Sequence, residues 1–382
     1  MHTLKSAALA AATLSLALTA CGKKDDPKKE GADTKATAGQ QKEAPKADSK
    51  TPAPKPAEAK PAGIDRGQLS IFAQLPTDMP SANNAITEEK ISLGRMLYFD
   101  KRLSKNHDIA CNSCHQLDKY GVDNKPTSPG HKGQLGGRNS PTVYNAGGHL
   151  AQFWDGRAQD VEAQAKGPVL NPVEMAMPSE EVVITTLKSM PKYVDAFKAA
   201  FPEEADPVTY DNFARAVGAF ERKLVTPGPW DKYLAGDDNA LNDAQKAGLA
   251  KFMETGCTAC HNGAYLGGNL YQKVGLVEPW PNQKDQGRFD VTKSDADKMM
   301  FKVPSLRNID RTGPYFHDGS EPDLANAVKL MAKHQLGKKL SDADTQSIVV
   351  FLGALTGPLP TDYITEPPLP ESTDATPKPD PS

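Results

Sequence analysis

Two pentapeptides with the same pattern constrain this chain more than any other feature of its sequence. Residues 111–115 read CNSCH and residues 257–261 read CTACH, so both have the form C-x-x-C-H. At this spacing two thiols can form thioether bonds to one porphyrin while the next residue presents imidazole to the iron. The sequence therefore predicts two covalently bound c-type haems. The predicted attachment residues are Cys111, Cys114 and His115 in the first motif and Cys257, Cys260 and His261 in the second.

Other uses of these four cysteines explain the sequence less well. In an exported protein, four cysteines can form two disulfides, and cysteine pairs can also bind zinc. Neither alternative accounts for a histidine directly after each pair. The 382 residues contain only one further cysteine, Cys21. We therefore prefer the haem interpretation.

The first 21 residues predict export. They combine Lys5 with an apolar run of small residues and leucines, which is typical of a signal peptide rather than of a membrane span. The run ends in LTAC, which resembles the bacterial lipobox, where the cysteine becomes the acylated first residue of the mature protein. We expect a periplasmic lipoprotein held to a membrane through Cys21. An ordinary signal peptide with a chance cysteine is the alternative.

The regions flanking the centre of the chain differ from it in composition. Residues 22–62 contain no Val, Ile, Leu, Phe, Tyr or Trp, so they predict a disordered tether. Residues 358–382 are rich in Pro, Asp, Glu and Thr and predict a second, extended tail. The formal net charge of −3 shows no basic excess, so a nucleic-acid partner is not expected.

Between these flanks helical patterns dominate. Thr87 can cap a helix, Asp206 to Val225 carry one apolar stripe, Asn242 to Glu254 lead into the second motif, and Ser341 can cap a last helix. Strand patterns are scarce. We predict a mostly α fold with two cytochrome c-like domains, each holding one haem, joined by long ordered loops.

A weak internal repeat supports two related modules. Gly94 lies four residues before Tyr98 and Gly248 lies four residues before Phe252, and each pair precedes a haem motif. A break is expected at TPGP, residues 226–229. The predicted domains are therefore an N-terminal one over residues 63–226 and a C-terminal one over residues 227–357.

The residue opposite each histidine decides what a haem does, because a strong sixth ligand favours electron transfer and an open position permits chemistry. For the second haem the candidates are Met299, Met300 and Met331. Met331 is favoured because it lies on a predicted helix after the haem motif, as in a small cytochrome c. For the first haem, His107, His131 and His149 are nearby in sequence. His131 lies in GHKGQLGG, where glycines would let the loop move and remove the ligand.

From about residue 64 to residue 358 the sequence resembles the bacterial dihaem cytochrome c peroxidases. The resemblance rests on both haem motifs and on the stretches GGRNSPTVYNA, FWDGRAQDVEAQAKGPVLNPVEMAM and TGPYFHDGS. It implies an enzyme that reduces hydrogen peroxide to water with electrons from a small periplasmic donor, either a cytochrome c or a cupredoxin. Members of this family are commonly homodimers, so a homodimer is expected.

The resemblance also implies roles for individual residues. The first haem would be peroxidatic, with His115 on its proximal side and His131 as a distal ligand that leaves on activation. Gln164 and Glu174 match a polar pair that handles peroxide. Further matches are His261 and Met331 as ligands of the second haem, Trp154 between the haems, and Asn139, Thr312 and Pro314 at a Ca²⁺ site.

Chemical reasoning agrees with the role of Glu174. Peroxide cleavage needs a base to take a proton and an acid to return it, and one carboxyl can do both if burial raises its pKa. Arg138, Arg157 and Arg307 could neutralise haem propionates.

Two other functions are open: a dihaem electron-transfer cytochrome, and a MauG-like oxidase of protein side chains. The second is disfavoured, because that branch has tyrosine where Met331 stands here.

Overall fold

The computed structural model describes residues 64–382. The predicted signal peptide over residues 1–21, the lipidation site at Cys21 and the tether over residues 22–62 lie outside this range. None of the helices in the described part of the chain is both long enough and apolar enough to span a bilayer.

The described residues are mostly helical, as the sequence predicts. The α-helices are α1 (Glu88–Phe99), α2 (Cys111–Cys114), α3 (Val161–Leu170), α4 (Glu180–Lys188), α5 (Pro191–Ala200), α6 (Tyr210–Glu221), α7 (Pro229–Leu234), α8 (Asp243–Thr255), α9 (Phe289–Thr292), α10 (Leu324–Leu336), α11 (Asp342–Gly353) and α12 (Thr361–Ile364). Short 3-10 helices cover Arg66–Ile71, Lys101–Leu103, Leu117–Lys119, His131–Gly133, Ala146–Gly148, Cys257–Ala259, Asp295–Asp297 and Ile309–Arg311. A small antiparallel sheet pairs β1 (Tyr271–Lys273) with β2 (Met300–Lys302).

Side-chain caps begin the helices that the sequence indicated. Thr87 accepts a hydrogen bond from the backbone N–H of Lys90, and Ser341 caps α11 in the same way. Asn242 caps α8 within a capping box. The helix expected from Asp206 is shorter: Thr209 caps α6, so the ordered helix begins at Tyr210.

Apolar side chains form two principal cores. The first joins α1, α3, α4, α5 and α6 around buried residues such as Leu97, Phe197 and Phe220. The second joins α7, α8 and α11 around buried residues such as Trp230 and Phe351. Each core lies against one haem motif, because Cys111 packs on the first and Cys257 packs on the second.

Two segments pack against a different core from the one that their place in the sequence predicts. Leu69 and Phe72 precede α1 but pack in the second core, where the Phe72 ring meets Trp230 edge-on at a centroid distance of 5.2 Å. Residues 358–382 are not a free extended tail. They form α12, bury Ile364 in the first core, and run along the surface of that core. Apolar contacts of Tyr363 and Ile364 outweigh the polar composition that suggested an extended tail.

Candidate haem and peroxide site

The first haem motif begins on α2 and ends where the backbone leaves the helix. The Ser113 hydroxyl accepts a hydrogen bond from the N–H of Ala110 at 3.0 Å, which stabilises the start of this short helix. Cys111 and Cys114 are half-buried thiols. Nδ1 of His115 lies 3.0 Å from the carbonyl oxygen of Pro141. A carbonyl oxygen only accepts, so Nδ1 carries the proton and Nε2 keeps its lone pair.

The second motif repeats this arrangement. Cys257 and Cys260 are also half-buried and free of disulfides. Nδ1 of His261 lies 3.0 Å from the carbonyl oxygen of Leu266. In both motifs a backbone carbonyl thus fixes the imidazole tautomer and leaves Nε2 available to a metal, which is the usual outer support of a metal-binding histidine. The donor set therefore fits two c-type haems, and the disulfide alternative finds no support among the described residues.

His131 lies in a closed turn rather than a loose loop. The N–H of Gly130 donates to the carbonyl oxygen of Gln134 at 2.8 Å, and the N–H of Gln134 returns a bond to His131 at 3.2 Å. The N–H of His131 donates to the carbonyl oxygen of Glu174 at 2.7 Å. Gly130 is required by close approach, because a Cβ there would lie 2.0 Å from the carbonyl oxygen of Val173. The turn is thereby held against the segment that carries Glu174.

Glu174 lines a cavity of about 280 Å³ with Phe153, Arg157, Ala163 and Asn171 among its other walls. The amide of Asn171 donates to Glu174 Oε1 at 2.9 Å. Burial raises the pKa of the Glu174 carboxyl above its ordinary value, against the charge of Arg157 and the Asn171 hydrogen bond, which both lower it.

The cavity lies near the first haem motif. Burial raises the pKa of the Cys114 thiol to about 11, and the nearby carboxylates of Asp123 and Glu174 add to that rise. A cavity with a carboxyl of raised pKa beside a haem-attachment cysteine suits a small polar substrate.

Gln164 lies on α3 but does not line this cavity. Its neighbours Ala163 and Gly167 do, while Gln164 is half-buried on an adjacent part of the helix. The structure therefore brings His131 and Glu174 together and leaves Gln164 to one side.

Sequence reasoning missed the place of Arg157 in the cavity wall. Its guanidinium lies 3.5 Å from the centroid of the Phe153 ring and donates to Asp155 Oδ1 at 3.1 Å. The signal was its place in the stretch FWDGRAQ, directly upstream of α3.

The role suggested for Arg307 is not supported. Its guanidinium donates to both oxygens of Asp231, at 2.7 and 3.0 Å, inside the second core. That buried pairing leaves no guanidinium face for a propionate.

Met331 lies on α10, in a cluster that we call the methionine cluster. Its members are Trp154, Val274, Trp280, Met299, Phe301, Phe316, Leu330 and Met331. Met299, another of the candidate ligands of the second haem, is 5% exposed. Its sulfur is approached by the Gln286 amide at 4.0 Å.

Trp154 connects this cluster to the residues expected at the calcium site. Its indole Nε1–H donates to the main-chain oxygen of Asn139 at 2.9 Å. The Asn139 side-chain amide donates to the carbonyl oxygen of Lys125 at 3.0 Å. The segment with Thr312 and Pro314 approaches the same stretch, because the Asn124 amide donates to the carbonyl oxygen of Gly313 at 3.0 Å.

The residues of this calcium region offer oxygen atoms of amides and of the main chain. Residues 64–382 hold no group of three or more His, Cys, Asp or Glu side chains arranged around a metal. A cation here would therefore depend on main-chain carbonyls, an amide oxygen and water, which Ca²⁺ accepts.

Known proteins are similar to this chain in sequence. The chain is 48% identical to the cytochrome c551 peroxidase of Pseudomonas aeruginosa over 317 residues, which cover 81% of this chain and 90% of that protein. It is 47% identical to the cytochrome c551 peroxidase of Nitrosomonas europaea over 302 residues, which cover 78% of this chain and 89% of that protein. A sequence model of the di-haem cytochrome c peroxidases matches residues 88–239. The chain belongs to the di-haem cytochrome c peroxidase family.

A solved structure extends this likeness to the fold. The crystal structure of a MauG-like protein associated with microbial copper homeostasis superposes with a TM-score of 0.68 at 26% identity, covering 77% of this chain and 97% of the other. Membership of the peroxidase family implies two c-type haems, in agreement with the two motifs, and makes the chain an enzyme of the cytochrome c peroxidase type.

Proposed function

We propose that this peroxidase reduces hydrogen peroxide to water at the first haem, with electrons that a small periplasmic donor delivers through the second. The observation that carries the proposal is the approach of His131 to Glu174: a backbone hydrogen bond of 2.7 Å joins a removable ligand to the residue whose carboxyl lines the cavity. Each turnover consumes two electrons and two protons and converts one peroxide into two water molecules.

The haems would supply the redox chemistry, and the chain's own residues would control the protons and access. Glu174 takes a proton from the bound peroxide and returns it to the oxygen that leaves, a role that suits its raised pKa. Arg157, at the cavity wall, stabilises negative charge on the oxygen atoms. Gln164 would act on peroxide only if α3 or its side chain turned toward the cavity.

The proposed iron ligands are the two motif histidines, together with His131 and Met331, which the family resemblance implies. His115 and, in the closed state, His131 would hold the first iron, within an N-terminal domain over residues 63–226. His261 and Met331 would hold the second iron, within a C-terminal domain over residues 227–357. Met331 is preferred to Met299 because the Met299 sulfur already has the Gln286 amide as a neighbour. Trp154, which packs in the methionine cluster, would lie on the path between the haems.

Calcium is proposed at Asn139, Thr312 and Pro314. Asn139 and Gly313 both form hydrogen bonds to residues 124–126, so a cation there would tie the two segments together.

We also propose a periplasmic location, a lipid anchor at Cys21 and a homodimer. The electron donor, a cytochrome c or a cupredoxin, belongs to the same proposal.

The decisive experiment is a spectrum of the purified protein, fully oxidised and then reduced by one electron, with and without calcium, followed by peroxide. A high-spin first haem after one-electron reduction, together with peroxide turnover, would support the proposal. Two irons that stay six-coordinate without turnover would indicate an electron-transfer cytochrome instead. Oxidation of a protein side chain without turnover of the small donor would indicate a MauG-like activity.

A further inference from the structure

The most unexpected contact in the molecule joins His131 to the segment 378–382. Nε2 of His131 lies 3.3 Å from the main-chain oxygen of Ser382. That oxygen can only accept, so Nε2 must carry the proton. A protonated ring nitrogen has no lone pair for a metal. Through this nitrogen, His131 can therefore bind either Ser382 or an iron, but not both.

The segment reaches His131 along a fixed path. The Tyr363 hydroxyl donates to the carbonyl oxygen of Phe220 at 2.8 Å. Farther on, the Thr373 hydroxyl donates to the carbonyl oxygen of Ser189 at 2.9 Å, and the buried Thr376 hydroxyl lies 2.9 Å from that of Ser189. The path is thus anchored on the first core before it reaches the histidine.

Lys105 fixes the end of this path. Its main-chain oxygen accepts from the N–H of Asp380 at 2.9 Å, and its Nζ donates to the main-chain oxygen of Ser382 at 3.0 Å. Its own N–H donates to the carbonyl oxygen of Met175 at 2.8 Å. Lys105 therefore connects segment 378–382 to Met175. The His131 turn is bonded to the neighbouring residue, Glu174.

We propose that Lys105 and residues 378–382 are positioning elements that hold His131 off the peroxidatic iron. The inference rests on the proposed function, in which His131 is the removable ligand. The contact stabilises the released arrangement, so it sets the ratio of released to iron-bound His131. A single hydrogen bond of ordinary net strength shifts such a ratio about two- to tenfold.

The test compares three changes, each made in the haem-loaded protein. The first ends the chain after residue 377, which keeps the Thr373 and Thr376 anchors. The second is Lys105→Met, which removes the Nζ donor and keeps the main-chain bond to Met175. The control is Lys101→Met on the neighbouring turn, because Lys101 is exposed and its side chain makes no hydrogen bond to the segment. Electron paramagnetic resonance of the oxidised and one-electron-reduced states gives the ratio of high-spin to low-spin first haem.

The shortened chain and Lys105→Met should each lower the ratio of high-spin to low-spin first haem about two- to tenfold, while Lys101→Met leaves it unchanged. In a His131→Gly background, shortening should have no effect on spin state, because the imidazole is gone. An unchanged ratio in both variants overturns the inference, and so does an equal change in the His131→Gly background. A first haem that stays low-spin in His131→Gly alone would overturn the ligand assignment itself, whatever the segment does.

Discussion

Gly94 and Gly248 occupy the same position in two helix crossings. A Cβ on Gly94 would lie 1.9 Å from the carbonyl oxygen of Ala216, where α1 meets α6. A Cβ on Gly248 would lie 2.1 Å from the carbonyl oxygen of Ser347, where α8 meets α11. In both crossings the aromatic residue four positions later packs on a phenylalanine of the partner helix. The ring centroids of Tyr98 and Phe220 lie 5.4 Å apart, and those of Phe252 and Phe351 lie 5.3 Å apart. The weak repeat in the sequence is a repeated packing motif.

The repeat predicts that neither glycine tolerates a methyl group. Gly94→Ala and Gly248→Ala should each lower the free energy of unfolding by about 1–3 kcal/mol, because the obstructing atoms belong to backbone and the helices must separate. Gly353→Ala is the control, since nothing lies within 4 Å of its Cβ position. Denaturant unfolding of the holoprotein measures all three. Equal stability of the Gly94 and Gly353 variants would contradict the crossing geometry.

Local patterns in the sequence were sufficient for the features that depend on neighbouring residues. The caps at Thr87 and Ser341, the helix over Asn242 to Glu254 and the helix with Met331 needed only spacing and residue type. The family resemblance assigned both His131 and Glu174 to the first haem, which residue spacing could not.

Contacts between distant segments could not be predicted in this way. The burial of Met299 depends on aromatic residues brought in from other parts of the chain. The path of residues 358–382 depends on a hydroxyl of Tyr363 and on Lys105, and neither forms a pattern within the tail itself. Amino-acid composition indicates how polar a segment is, but it does not indicate on which surface of the protein that segment packs.

Glu174→Gln should reduce peroxide turnover by roughly 100-fold or more, because an amide cannot take and return the proton. Haem content and optical spectra should stay close to those of the unchanged protein, since the amide keeps the size of the side chain. Glu180→Gln, an exposed carboxylate at the start of α4, serves as the control. Near-normal turnover in Glu174→Gln would mean that this carboxyl is structural.

The charge of Arg157 should control the acid side of the pH profile. Glu174 must be ionised to accept a proton, so kcat/KM should fall as the pH falls through its raised pKa. Arg157 lowers that pKa, and Arg157→Gln should therefore move the midpoint of the fall to higher pH. Arg157→Lys keeps the charge and should restore much of the original profile. A midpoint that does not move in Arg157→Gln would show that Glu174 does not limit turnover at acid pH.

Met331→His should keep both haems attached but lower the potential of the second haem, because imidazole replaces thioether on the iron. The first haem should then be harder to open by reduction. Met299→Leu is a matched comparison in the same cluster and should leave the potential almost unchanged. A redox titration of both variants distinguishes the two methionines. Met331 would not be the ligand if neither variant lowered the potential of the second haem, or if only Met299→Leu changed it strongly.

His131→Gly should leave the peroxidatic iron open without prior reduction of the second haem. If the His131 imidazole is the sixth ligand of this iron in the oxidised protein, replacing His131 with glycine removes that ligand, and the backbone bond to Glu174 can persist. We expect a high-spin first haem in the fully oxidised state and immediate reaction with peroxide. His107→Gly is the comparison, because His107 has a φ of +54° that glycine adopts without strain. Its oxidised spectrum should match that of the unchanged protein, and a high-spin first haem in His107→Gly but not in His131→Gly would transfer the role of distal ligand to His107.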